Sequence, residues 1–196
     1  MNFLAHAYLS FQQPGLLVGN MISDFVKGSA KFTYSPPIQQ GIALHRSIDA
    51  FTDAHPQTKR AQEIFKKDYR LYSAPIVDII FDHYLATDQN IFTEETLYHF
   101  SLEVYSTLEQ HSLELPAHFL LMLPYMKEEN WLFHYKDRAG IQKSLRGLVR
   151  RSAFLTDHET AYSLFDRHYA FIGDCYALFF EDVKAFAKKE IGQLLL

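Results

Sequence analysis

Glycine and proline are scarce in this chain and fall in clusters, which constrains its fold more than any other feature of the sequence. The 196 residues contain 8 Gly and 7 Pro, against a typical share of about 12% for the two residues together. Between these clusters, apolar residues recur at the three- and four-residue intervals of an α-helix. Strict alternation over five or more residues is nearly absent, so we predict an all-α fold. The stretches with helical spacing are 16–26, 38–52, 75–85, 94–111, 116–135, 141–154 and 159–196.

The chain shows no internal repeat, low-complexity tract or linker-like segment. We therefore predict a single domain over residues 1–196, in which additional C-terminal helices pack on the first half. The longest apolar run, residues 119–126, is far shorter than the roughly 20 residues that span a bilayer. The N-terminus is apolar but lacks a preceding basic region and a cleavage pattern, so we expect no signal peptide and a cytoplasmic location.

Charge and cysteine content exclude several classes of function. Lys and Arg number 19 and Asp and Glu 23, giving a net charge of -4, so bulk charge argues against a nucleic-acid partner. One cysteine against ten histidines excludes an internal disulfide and any cysteine-rich metal site. A metal ion in this protein would have to be bound by imidazole and carboxylate groups.

Titratable residues occur at helical spacing in the first half, on stripes that should be apolar. Residues four apart share one face of a helix, and four predicted helices each offer a His or an Asp. Such a set suits Mn²⁺, Fe²⁺, Zn²⁺ or Mg²⁺, and carboxylate-rich helical proteins build metal sites in this way. The sets are His45, Asp49 and Asp53; Asn20 and Asp24; Asn2 and His6; and Asp78 and Asp82, with His83 next in sequence.

The same spacing also has a structural explanation. A His–Asp pair on a helix is often a solvated face or a local hydrogen bond. Arg46 and Asp49 could form a surface ion pair that contributes little stability. Spacing alone leaves both explanations open.

Four segments closely resemble the acyl carrier protein phosphodiesterases. They are MNFLAHAYLS, GNMISDFVKG, GIALHRSIDAFTDAHP and DIIFDHYLA, and they occur in order from the first residue to Ala86. The resemblance implies an all-helical fold related to the HD-domain metal phosphohydrolases. It also implies hydrolysis of the phosphodiester that joins 4′-phosphopantetheine to the serine of holo-acyl carrier protein, with Mn²⁺ as the favoured metal.

The resemblance assigns roles to residues of these motifs. The metal ligands that it implies are Asp24, His45, Asp82, His83 and His6. For the mechanism we predict that Asp49 or Asp53 orients or deprotonates the attacking water and that Arg46 neutralises phosphoryl charge. His83, if it is not a ligand, would protonate the serine oxygen. The sequence departs from the HD pattern in one respect: its tandem pair is Asp82-His83, whereas the HD enzymes have His followed by Asp.

A basic segment near residue 140 suggests where an acidic carrier protein would bind. Residues 136–151 contain six Lys or Arg and one Asp, a net charge of +5. We predict docking through electrostatic steering, although an ordinary solvated helix face fits the same pattern. The predicted docking residues are Arg138, Lys143, Arg146 and Arg150.

Three other functions compete with this prediction. An HD-like phosphohydrolase acting on a nucleotide or another small phosphoester would use the same metal site. A non-catalytic helical module could bind a carrier protein, and a plain helical scaffold could bury the same polar groups. The sequence gives no indication of the oligomeric state.

Overall fold

Proline positions determine where several helices begin. Pro14, Pro36 and Pro56 each occupy the first turn of a helix, where the missing N–H costs nothing. The structure, a computed structural model, describes residues 1–194, and these form eleven α-helices and no β-strand. The prediction of an all-α fold is therefore confirmed. The helices are α1 (Phe3–Tyr8), α2 (Pro14–Ile22), α3 (Pro36–Ala54), α4 (Pro56–Tyr69), α5 (Ser73–Thr87), α6 (Glu94–Gln110), α7 (Ala117–Glu128), α8 (Trp131–His134), α9 (Arg138–Arg151), α10 (Glu159–Arg167) and α11 (Tyr169–Leu194).

The predicted helix 16–26 ends at Ile22, and the predicted helix 141–154 ends at Arg151. Three other differences from the sequence prediction are larger. Helix α4 was not predicted, because its buried stripe of Thr58, Ala61, Phe65 and Tyr69 is thin and partly polar. The predicted helix 116–135 is divided at Asn130, whose left-handed backbone ends one helix and whose side chain caps the next. The predicted helix 159–196 is divided at His168, and its last two residues lie outside the described part of the chain.

Helix α5 lies at the centre of the fold. Eleven of its 15 residues are buried, as expected for a helix that is covered on every side. It packs against α1, α4, α9 and α11, and the buried apolar side chains of both halves of the chain form one cluster. Asp82 and His83 on this helix are therefore enclosed by the core.

Helices α2 and α3 approach so closely that their backbones touch. A Cβ on Gly19 would overlap the carbonyl oxygen of Ile38, and one on Gly41 would overlap that of Leu16. Glycine at both positions permits this approach. The contact brings Asn20 on α2, and the 3₁₀ turn Ser23–Phe25 that follows it, beside His45 on α3.

In the described part of the chain, residues 1–194, we find no helix with the length and apolarity needed to cross a membrane.

Candidate functional site

Three predicted site residues from two helices meet in one small group. The Nε2 atom of His6 lies 3.2 Å from Oδ1 of Asp49, and the Nε2 atom of His45 lies 3.0 Å from Oδ2 of the same carboxylate. One possible ligand atom from each residue lies within 4.8 Å of the others. We call His6, His45 and Asp49 the ligand group.

Asn20 orients both histidines of the ligand group. Its Nδ2 donates to the carbonyl oxygen of His6 and to Oγ of Ser10, so its Oδ1 is an acceptor. Nδ1 of His6 donates to that Oδ1 at 2.7 Å, and Nδ1 of His45 donates to the backbone oxygen of Asn20, also at 2.7 Å. When the two imidazole rings are neutral, the proton of each ring is on Nδ1. The unprotonated Nε2 of each ring therefore faces Asp49.

The ligand group fits a divalent cation. The Nε2 atoms of His6 and His45 are buried and have no hydrogen-bond partner among residues 1–194, although the Asp49 oxygens are near. The two imidazole rings stack with centroids 3.9 Å apart and planes 15° from parallel. Two imidazole nitrogens and a carboxylate oxygen suit Mn²⁺, Fe²⁺ or Zn²⁺, and hydrogen bonding of Nδ1 to an acceptor is how metal-binding histidines are generally oriented.

The two histidines have opposite pKa shifts. Burial, together with the nearby charge of His45, lowers the pKa of His6 to about 4. Burial also acts to lower the pKa of His45, but the adjacent carboxylates of Asp24 and Asp49 outweigh this and raise it to about 9. For Asp49, burial acts to raise the pKa, but His45 and His6 outweigh it and hold that pKa well below its usual range. Without a metal, the site thus favours one proton, on His45.

Asp24 lies at the exposed edge of the ligand group. Its Oδ1 is 3.3 Å from Nε2 of His45, and its side chain is 75% exposed. The adjacent His45 imidazole lowers the pKa of Asp24. An ionised carboxylate therefore stands between the buried group and solvent, where it can reach either a metal ion or a water.

Arg46 and Asp53 lie beside the ligand group and are both exposed. Arg46 follows His45 and donates from Nη2 to the carbonyl oxygen of Val26 at 3.1 Å. Asp53 lies one helical turn beyond Asp49 on α3. No hydrogen bond or ion pair involving the Asp53 side chain occurs within residues 1–194.

The structure corrects the expectation that Asp82 belongs to the metal site. The Asp82 carboxylate accepts backbone N–H groups from Asn2 at 3.2 Å, Leu4 at 2.7 Å and Ala5 at 3.3 Å. Those amides form the first turn of α1, whose unpaired donors attract a carboxylate. Asp82 thus anchors the helix that carries His6, and burial raises its pKa to about 7.

His83 also lies apart from the ligand group, contrary to the expectation of a ligand or a proton donor. Its Nδ1 donates to the carbonyl oxygen of Tyr135 at 2.8 Å, and its Nε2 is 3.0 Å from the hydroxyl of Tyr169. Consecutive residues of a helix point about 100° apart, so Asp82 and His83 contact different neighbours. Both nitrogens of His83 are occupied by structural hydrogen bonds.

Half of the predicted docking residues on α9 are paired within the protein. Arg138 lies 2.7 Å from Asp166, and Lys143 lies 2.7 Å from Glu129. Arg146 and Arg150 form no ion pair with the described residues 1–194. We call Arg146 and Arg150 the α9 face.

Comparison with known proteins gives the same family as the sequence motifs. A family model described as acyl carrier protein phosphodiesterase matches residues 1–183. This chain belongs to the acyl carrier protein phosphodiesterase family. Relatives with that name occur in Photorhabdus laumondii, 34% identical over 92% of this chain and 90% of the relative, and in Yersinia pestis, 33% identical over 92% and 94%. The relative from Escherichia coli O157:H7 is 28% identical over 97% of this chain and 99% of its own.

No solved structure matches the chain significantly. The HD-like arrangement therefore stays a prediction. The ligand group lies inside the region that the family model matches, because His6, His45 and Asp49 all fall within residues 1–183.

At the level of the sequence, Asn20 is paired with Asp24 but has no assigned role, and Ser10 is not considered. The signal for Asn20 was present, since it stands four residues before Asp24 in the motif GNMISDF. Its role depends on the backbone contact between α2 and α3. No spacing rule within one helix reveals that contact.

Proposed function

We propose that this protein is a metal-dependent phosphodiesterase that releases 4′-phosphopantetheine from the serine of holo-acyl carrier protein. The observation that carries the proposal is the buried ligand group, with two Nε2 atoms left without hydrogen bonds. It lies in a chain whose relatives are named acyl carrier protein phosphodiesterase. A phosphodiester is a substrate for which such a site is chemically suited.

The proposed ligands are His6, His45 and Asp49, with Asp24 within reach of the same ion. A divalent cation bound there would polarise a phosphoryl oxygen and lower the pKa of a coordinated water. We propose Mn²⁺, as the family resemblance implies, and the same donors accept Fe²⁺, Zn²⁺ or Mg²⁺.

The exposed side chains around the ligand group would act on the substrate. Asp24 is ionised and solvent-facing, so it can orient a water and accept its proton. Arg46 uses one N–H for the Val26 carbonyl and has others that can donate to the phosphoryl oxygens, where negative charge accumulates. Asp53 lies one turn beyond Asp49 on α3 and is also exposed. It is kept as the alternative base.

Mass spectrometry of holo-acyl carrier protein tests the proposal. After incubation with the purified protein and Mn²⁺, we expect conversion to apo-acyl carrier protein and release of 4′-phosphopantetheine. Treatment with a chelator should stop the reaction, and added Mn²⁺ should restore it. An unchanged mass for the carrier protein in the presence of each of the four metals would contradict the proposal.

Histidine variants connect the activity to the ligand group. His6→Ala and His45→Ala should lose both bound metal and turnover. The control is His118→Ala, which removes an exposed histidine on α7 and should behave as the unaltered protein does. Full turnover by His45→Ala after chelation would show that the ligand group is not the active site.

A further inference from the structure

One segment beside the ligand group carries positive charge and contributes nothing fully buried to the core. Each of residues 27–37 is exposed or half-buried, and the segment contains the 3₁₀ helix Gly28–Thr33. Its shape is held by local hydrogen bonds, from Thr33 to the oxygen of Ala30 and from Gln39 to the oxygen of Tyr34. These bonds, together with Tyr34, which packs partly against the core, give the segment a defined conformation although most of its residues are exposed.

The charge of this region is one-sided. Residues 25–48 contain Lys27, Lys31 and Arg46 and no Asp or Glu, in a chain with a net charge of -4. None of the three cations forms an ion pair with the described residues 1–194. The Phe32 ring is 67% exposed, and the Lys31 ammonium lies 4.9 Å from its centroid. We call Lys27, Lys31, Phe32 and Arg46 the loop surface.

The loop surface is joined directly to the ligand group. Arg46 is next to His45 in α3 and binds the carbonyl oxygen of Val26, which precedes Lys27. Asp24, at the exposed edge of the ligand group, is three residues from Lys27. A protein that places a phosphodiester at the ligand group would therefore bring the residues that flank that phosphodiester toward the loop surface.

We propose that the loop surface docks the protein substrate, and that the substrate's surface around its phosphodiester is acidic with an apolar contact for Phe32. This inference rests on the proposed function. Unpaired cations beside a reaction site attract an acidic partner and guide its approach. A partly exposed aromatic ring supplies the apolar anchor that protein interfaces favour.

The α9 face, predicted from the sequence, is the alternative docking site for the same partner. Helix α9 packs against α5, α8 and α10, whereas the ligand group lies on α1 and α3. The loop surface includes Arg46, the neighbour of His45, and begins three residues after Asp24, so we place the substrate there. The two surfaces can be compared with equal changes in charge.

The test uses two double variants of the full chain. Lys27→Glu with Lys31→Glu should lower kcat/KM for holo-acyl carrier protein by about tenfold or more, since rim charges act mainly on association. The kcat at saturating carrier should stay near that of the unaltered protein. Raising the salt concentration should slow the unaltered protein more than this variant. Arg146→Glu with Arg150→Glu makes the same change in charge on α9 and should keep the unaltered kcat/KM.

Binding of apo-acyl carrier protein, measured by fluorescence anisotropy, provides a readout that does not depend on hydrolysis. Lys27→Glu with Lys31→Glu, and separately Phe32→Ser, should weaken this binding, while circular dichroism shows the unaltered fold. The inference is overturned if the loop variants bind as the unaltered protein does, or if only the α9 variant loses affinity. Binding without hydrolysis by the unaltered protein would instead overturn the proposed function and leave the docking surface standing.

Discussion

At the scale of single residues, Asn20 is the residue outside the ligand group that hydrogen-bonds to both of its histidines. Its side chain is fully buried, and it binds one histidine through its amide and the other through its backbone oxygen. A residue in that position acts through the ligands and not on the substrate. We therefore treat Asn20 as a positioning residue.

Replacement of Asn20 by leucine should weaken metal binding by about 10- to 100-fold, the usual effect of losing a ligand's hydrogen-bond partner. The variant removes the acceptor for Nδ1 of His6 and leaves the backbone acceptor of His45. Competition with a metal-binding dye measures the affinity.

Ser10→Ala is the matched control for the Asn20 variant. It removes one partner of Asn20 Nδ2 but leaves the Asn20–His6 bond, so the affinity should change little. Equal affinity in Asn20→Leu and the unaltered protein would show that His6 needs no orientation.

His83 should make the protein less stable at mildly acidic pH. Burial lowers its pKa in the folded state; the hydrogen bond to the Tyr135 carbonyl oxygen partly opposes this, Arg138 lowers the pKa further, and Asp137 acts to raise it. In the unfolded chain a histidine has a pKa of about 6.5. As the pH falls below that value, the unfolded state binds more protons, so the free energy of unfolding decreases.

Urea unfolding at about pH 7.5 and about pH 5.5 tests this dependence. His83→Gln cannot be protonated in this range, so its free energy of unfolding should fall less between the two pH values than that of the unaltered protein. Equal decreases in the two proteins would mean that His83 titrates normally when folded.

At the scale of elements, the short helix α1 depends on α5. Helix α1 has only six residues, too few to be stable alone in water. Asp82 on α5 binds three of its amide groups. The position of His6 is therefore fixed by a carboxylate that does not touch the metal site.

Asp82→Ala should lower the free energy of unfolding by about 3 kcal/mol, because it leaves buried amide donors without an acceptor. Asp82→Asn keeps one acceptor oxygen and should lose less. Urea unfolding gives both values. Asp68→Ala, which removes an exposed carboxylate on α4, is the control and should be close to neutral. An unaltered unfolding midpoint in Asp82→Ala would contradict the anchoring role.

At the scale of the whole molecule, the sequence predicts which residues belong to helices better than it predicts how the helices meet. Periodicity identifies the buried α5 and the His45–Asp49 face of α3, because both depend on spacing within one element. It does not distinguish Asp82 from a metal ligand. That distinction depends on the N-terminus of α1 lying against α5 at Asp82, which is a contact between residues about 80 positions apart.

Two touching helices and one separate helix make up the site. Helices α2 and α3 pack closely at Gly19 and Gly41. Together with the 3₁₀ turn after α2, they carry four site residues as one rigid part: Asn20, Asp24, His45 and Asp49. Only His6 comes from elsewhere.

The ligand group is therefore complete only while α1 is docked. Local opening of this six-residue helix would withdraw one of the two imidazoles from the site, and such local openings cost less free energy than unfolding of the whole protein. Any ion that requires both histidines would hold α1 closed and, by mass action, slow the exchange of its amide hydrogens. The docking of α1 would thus set how long the site keeps its metal.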